Sequence, residues 1–231
     1  MSAPEQLSIA VPEAGGVSAL SLTPERPQFA YVFAHGAGAG MTHAHMEAMA
    51  QALARRGVAT LRFQFPFMER GGKRTDTPGV AQAAVRAAVT EARRRWPDLP
   101  LFAGGKSFGG RMTSQAQAGQ PMAGISGLAF VGFPLHPAGK PGTARADHLA
   151  NVHCPLLFLQ GTRDDLADLG LIRQVLARLG TNVTLHLEHD ADHAFHVRKS
   201  SGRDDRQVVE SMADTMAAWF ARTPHHPEPK G

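Results

Sequence analysis

The chain predicts an α/β fold: a mostly parallel central sheet with helices on both faces, built as one domain over residues 1–222. Three observations predict it. Short apolar runs of strand length alternate with longer segments of helical spacing along the chain. Gly105-Lys106-Ser107-Phe108-Gly109, a G-x-S-x-G pattern, sits between one such run and one such segment. A carboxylate and a histidine each follow a later apolar run. In open parallel sheets the loops past the carboxyl ends of the strands gather on one rim, so these groups are expected to meet.

The elements follow in order. Residues 7–11 and 17–22 read as two opening strands, with Gly15-Gly16 as a hairpin signal. Residues 29–34 form a strand, 45–56 a helix stopped by Gly57, and 58–63 a strand. Residues 80–96 form an Ala-rich helix ended by Pro97. The apolar run 99–104 reads as a buried strand, and 108–118 as a helix ended by Gly119 and Pro121. Residues 127–131 form a strand, and 133–147 a Pro- and Gly-rich loop too short for a large cap domain. Strand 155–160 precedes a helix over 166–179, and strand 183–188 precedes a helix over 205–221. Asp204 and Asp205 open that last helix, where the dipole favours acids. Residues 223–231 are expected to fray as a flexible C-terminal tail.

The G-x-S-x-G spacing has a chemical reason. A strand must turn sharply into a helix to leave one serine hydroxyl exposed, and small flanking residues permit the tight backbone. Ser107 is the candidate nucleophile. Gly161-Thr-Arg-Asp164-Asp165 runs directly from strand 155–160 and supplies an acid. The loop His189-Asp-Ala-Asp-His193-Ala-Phe-His196 follows strand 183–188, and His193 is the expected general base. His35-Gly-Ala-Gly-Ala-Gly40 follows strand 29–34, and its small residues leave backbone N–H groups free to hold an oxyanion. Ala37 and Phe108 are the expected donors; His35 reads as a structural histidine of this loop rather than a second base, and His35 and Gly36 are candidates to line the substrate side.

These motifs, with Leu61-Arg-Phe-Gln-Phe-Pro-Phe-Met-Glu-Arg70 and Asp192-His-Ala-Phe195, resemble the α/β-hydrolase superfamily along most of the chain. More narrowly, they resemble the small dienelactone-hydrolase-like proteins without a large lid. Within these the motifs resemble a branch of bacterial proteins of unassigned substrate. That branch also holds the hydrolase-like domain of subunit 3 of the non-specific lethal chromatin complex, and a testis-expressed homologue. The resemblance implies the α/β-hydrolase fold and a triad of Ser107, Asp164 and His193. The choice of Asp164 over Asp165 rests mainly on it.

Composition is consistent with such a domain. The 231 residues are 43% hydrophobic, enough for a full core. No apolar run approaches a membrane span, and the N-terminus shows no secretory signal, so neither membrane attachment nor export is expected. Cys154 is the only cysteine; it reads as a structural thiol and suits a reducing cytoplasm. The formal charge of +4 does not demand a nucleic-acid partner. Arg62, Arg70, Lys73 and Arg74 cluster beside a loop on the expected rim, and Lys106 precedes the nucleophile. Two readings of these cations stand: a solvated surface, or recognition of an acidic substrate group. The aromatic set Phe63, Phe65, Phe67, Phe108 and Phe133 suggests an apolar acyl pocket.

Other chemistries fit less well. Pro100 stands where a phosphate-binding loop needs glycine. His186, His189, His193 and His196 lack metal-ligand spacing, and His43 and His45 read as helix-start surface residues. No cofactor is expected. Two function classes remain: a serine hydrolase of small acyl compounds, as monomer or homodimer, and a non-catalytic module used for protein interaction.

Overall fold

The computed structural model describes residues 3–225. Among them one sheet of eight strands has the order β1-β2-β4-β3-β5-β6-β7-β8. The strands are β1 (Glu5–Val11), β2 (Gly15–Leu22), β3 (Phe29–Ala34), β4 (Val58–Phe63), β5 (Leu101–Lys106), β6 (Ile125–Val131), β7 (Leu156–Gly161) and β8 (Val183–Glu188). β2 runs antiparallel to both its neighbours, and all pairings from β4 to β8 are parallel. The helices are α1 (Ala44–Ala54), α2 (Pro66–Glu69), α3 (Pro78–Arg95), α4 (Phe108–Gly119), α5 (Leu169–Arg178) and α6 (Asp205–Arg222).

The continuous apolar runs of the sequence follow from this layering, because both faces of the parallel strands are covered. In β3, Ala30, Val32 and Ala34 join the core under α3 and α4, while Tyr31 and Phe33 join the core under α1 and α6. The period of two thus feeds two separate cores from one strand. Phe102 stacks on Phe220 with ring centroids 4.1 Å apart, tying β5 to α6. Each such fully buried ring contributes roughly 1.5–3 kcal/mol from removal of apolar surface from water.

Several boundaries differ from expectation. Gly15 and Gly16 lie inside β2, with Gly15 opposite Val11, so the turn is Pro12-Glu13-Ala14. Glu13 adopts φ 62 there. The predicted helix over 166–179 begins only at Leu169, because the Asp168 side chain accepts the Leu171 N–H as a helix cap. The loop 133–147 ends in a 3-10 segment, Ala144–Asn151, packed on α4. α2 was hidden because four residues carry no helical period. Thr223, expected in the tail, is buried and donates its hydroxyl to the Trp219 carbonyl at 2.8 Å. Residues 226–231 of that tail lie outside the described residues. No helix among the described residues is long and apolar enough to cross a membrane.

Candidate active site

Ser107 stands alone between β5 and α4, at φ 51 and ψ −114. A residue with a side chain is strained there, and the surroundings over-determine the turn. The Ser107 N–H donates to the Val131 carbonyl, and its own carbonyl accepts the Arg111 N–H, both at 3.1 Å. Glycine beside it is enforced by packing. A Cβ on Gly105 would lie 2.4 Å from the Ala34 carbonyl oxygen, and one on Gly109 would lie 2.5 Å from the Ala34 and His35 oxygens. Gly104, outside the motif, is tighter than either: at φ +156 its Cβ would meet the Ala129 oxygen at 1.8 Å.

Two later loops converge on this hydroxyl. The His193 Nε2 lies 2.9 Å from Ser107 Oγ. Its Nδ1 lies 2.7 Å from Asp164 Oδ2. Bonding to a carboxylate places the imidazole proton on Nδ1, so the Nε2 lone pair faces the serine hydroxyl. The Asp164 carboxylate is completely buried. It also accepts the Leu166 N–H at 2.8 Å and the Gln160 Nε2 amide, so three donors fix its orientation. Asp165 is exposed and Asp168 caps α5, which leaves Asp164 as the acid against His193. His189 is exposed, His186 lies 3.0 Å from Glu188, and His196 lies 2.9 Å from Asp205.

The loop after β3 lies beside the serine. A Cβ on Gly36 would sit 3.8 Å from Ser107 Cβ. Ala37 follows, exposed, and Phe108 opens α4, where a first-turn N–H has no partner within the helix. Buried polar groups pin this loop. His35 Nε2 accepts the Phe65 N–H at 2.9 Å, and its Nδ1 donates to the Gly36 carbonyl at 2.7 Å. Burial holds the His35 pKa down at about 4, so the ring is neutral. Gln64 Oε1 accepts the Met41 N–H at 2.9 Å, while Arg62 Nη1 donates to the Met41 carbonyl at 3.0 Å.

The expected substrate-binding set therefore divides. Gly36 borders Ser107. His35 does not line a pocket, because it is fully buried with both ring nitrogens engaged. Arg62 points inward and is buried. Arg70 pairs with Asp76 at 2.7 Å, whose other oxygen accepts the Phe67 N–H, so this cation braces its own loop. Lys73 and Arg74 face solvent. Lys106 turns toward the loop after β8 and donates to the His193 carbonyl. The five phenylalanines are also buried: Phe65 and Phe108 pack edge to face at 5.2 Å, while Phe133 packs on Phe130 and Phe158 in the core. They underlie the site rather than form an open acyl slot. His45, expected on the surface, is half-buried with its ring stacked on Phe195. Cys154 is half-buried, and burial raises its thiol to about 11.

Gln160 is the functional residue that sequence reasoning missed. Its Oε1 accepts the Phe133 N–H at 3.1 Å while its amide donates to Asp164. The available signal was a polar residue closing an apolar run, Leu156-Leu-Phe-Leu-Gln160; the structure buries it fully.

The fold and this constellation define an α/β protein with a serine at a strand–helix elbow and an acid and histidine on the following loops. The Alpha/beta hydrolase domain family matches residues 27–221, and the chain belongs to that family. Solved structures agree on the fold over nearly the whole chain. An α/β serine hydrolase without lid from Xanthomonas campestris is 22% identical with a TM-score of 0.75, covering 97% of this chain and 98% of that one. Dienelactone hydrolase from Anabaena variabilis is 20% identical with a TM-score of 0.73, covering 96% and 99%. An esterase from Pyrococcus furiosus is 16% identical with a TM-score of 0.72, covering 95% and 91%.

Proposed function

We propose that this chain is a serine hydrolase that cleaves small esters, thioesters or related acyl compounds through an acyl-enzyme. The observation that carries the reading is the continuous hydrogen-bond chain from Ser107 Oγ through His193 to Asp164. Ser107 Oγ attacks the acyl carbonyl while His193 Nε2 takes its proton. The N–H groups of Ala37 and Phe108 receive the oxyanion. His193 then protonates the leaving alcohol or thiol, and the C–O or C–S bond breaks. Water, deprotonated by His193, attacks the acyl-enzyme and releases the acid, returning the proton to Ser107. Asp164 holds the tautomer and stabilises the imidazolium.

The lidless hydrolase and the dienelactone hydrolase among the similar structures support a small acyl substrate reached without a cap. The motif likeness to the branch shared with the chromatin-complex subunit belongs to this proposal, as does a cytoplasmic monomer or homodimer. Exposure to a fluorophosphonate probe tests the reading. Wild-type protein is expected to label, and Ser107→Ala to fold without labelling. A folded wild-type protein that neither labels nor turns over a panel of acyl esters points instead to a non-catalytic interaction module.

A further inference from the structure

Lys106 is not used by the chemistry above, yet it is built into the site from three sides. Its ammonium donates to the main-chain carbonyl of His193. The same Nζ sits 5.3 Å from the centroid of the Phe195 ring. On the third side is Gly132, at φ +68 just past β6. A Cβ there would stand 3.1 Å from Lys106 Nζ, 3.3 Å from Phe195 and 3.6 Å from the His193 ring. The missing side chain is what lets all three groups share one space. Phe195 itself adopts φ 67, a conformation that disfavours a side chain, and the His45 ring stacks 6.0 Å from its own.

Consecutive residues of the elbow thus grip the same histidine at two points. Ser107 meets the ring, and Lys106 meets the backbone carbonyl two bonds behind the Cβ that carries the ring. The bonds to Ser107 and Asp164 aim the ring, whereas the anchor on the main chain sets the height of the loop that carries it. Burial has a price here, lowering the ammonium to about 8, while Asp164 and Asp192 favour its charge. A lysine serving only as filler would be replaced without loss by an apolar side chain of similar length.

We propose that Lys106 is a positioning residue for the base, holding the His193 loop so that Nε2 meets Ser107 Oγ. The inference rests on the hydrolase reading above. Lys106→Met keeps the stem and removes the donor. Its kcat on a short acyl ester and its rate of fluorophosphonate inactivation are expected to fall about 10- to 100-fold, with KM within about twofold, since misplacement of a reacting group acts on the transition state. Lys106→Arg, which retains a charged donor, is expected to recover part of the loss. Should the Met variant fail to fold, Lys106→Leu, which also lacks a donor, carries the same expectation. A folded variant with wild-type kcat and inactivation rate overturns the proposal, and so does a loss carried by KM alone. The wild-type and Ser107→Ala labelling controls report separately on the hydrolase reading. If wild type does not label, a crystal structure of the Met variant decides: His193 displaced from Ser107 supports the positioning role, and an unmoved ring overturns it.

Discussion

The two halves of the candidate site are held by different means. The Ser107 half is made of backbone: glycines at 104, 105 and 109 press against main-chain oxygens of β3, β6 and the loop after β3, and no side chain is needed to aim the hydroxyl. The His193 half is made of side chains. Asp192 Oδ1 accepts the N–H groups of Ala194 and His196 at 2.8 and 3.0 Å, Asp205 accepts that of Val197, and Gln160 and Lys106 reach in from neighbouring strands. A half built on steric exclusion is rigid and fails abruptly. A half built on polar contacts is adjustable and fails by degrees.

Gly104→Ala attacks the first half and is expected to have the largest effect. Its Cβ would stand 1.8 Å from a carbonyl oxygen in the centre of the sheet, where the backbone has nowhere to move. The expected outcome is little folded protein, read by circular dichroism and yield. A native-like melt would show the elbow to be far more pliant than its packing implies. Asp164→Asn attacks the second half. The fold should persist, while kcat is expected to drop on the order of 10⁴-fold because the imidazole loses its correct tautomer. A loss under tenfold would mean that Asp164 does not orient the base.

Gln160→Met sharpens the comparison at intermediate size. It removes one of three donors to Asp164 and strands the Phe133 N–H. A destabilisation of about 1–3 kcal/mol is expected from the unsatisfied group. A fall of about tenfold in kcat should accompany it if the adjustable half responds by degrees. Urea titration and steady-state kinetics measure both, and a kcat loss as large as that of Asp164→Asn would contradict graded failure.

Both halves also share a pH dependence of stability. His35 in the loop after β3, His148 in the 3-10 segment packed on α4, and His45 behind Phe195 are each held by burial at about 4. In the unfolded chain they titrate near 6.5. Between these values the unfolded chain binds more protons than the folded one, so the stabilisation is complete above about pH 6.5 and is lost as pH falls toward 4. Unfolding at pH 5 should take up as many as three protons through these groups, and urea midpoints should fall from pH 7 to pH 5. His35→Gln is expected to flatten that slope; an unchanged slope would remove His35 from the account.

Both halves were legible to different depths. The elbow is local: strand, glycine pair, serine and helix lie within twenty residues, and the sharp turn demands those residue types wherever it occurs. Chain order likewise placed an acid and a histidine after successive strands of one parallel sheet, and Asp164 and His193 meet there, 29 positions apart. Local pattern also foretold β3, β4 and β8 to the residue. What it did not reveal is which way the polar side chains turn. Arg62, His35 and Lys106 read as rim cations or pocket residues, but each turns into the protein because a backbone carbonyl or N–H from a distant loop waits there. Hydrophobic period and turn chemistry are properties of neighbours in sequence, and they determine the elements and their order. The partner of a buried donor is a property of neighbours in space, and only the assembled sheet decides it.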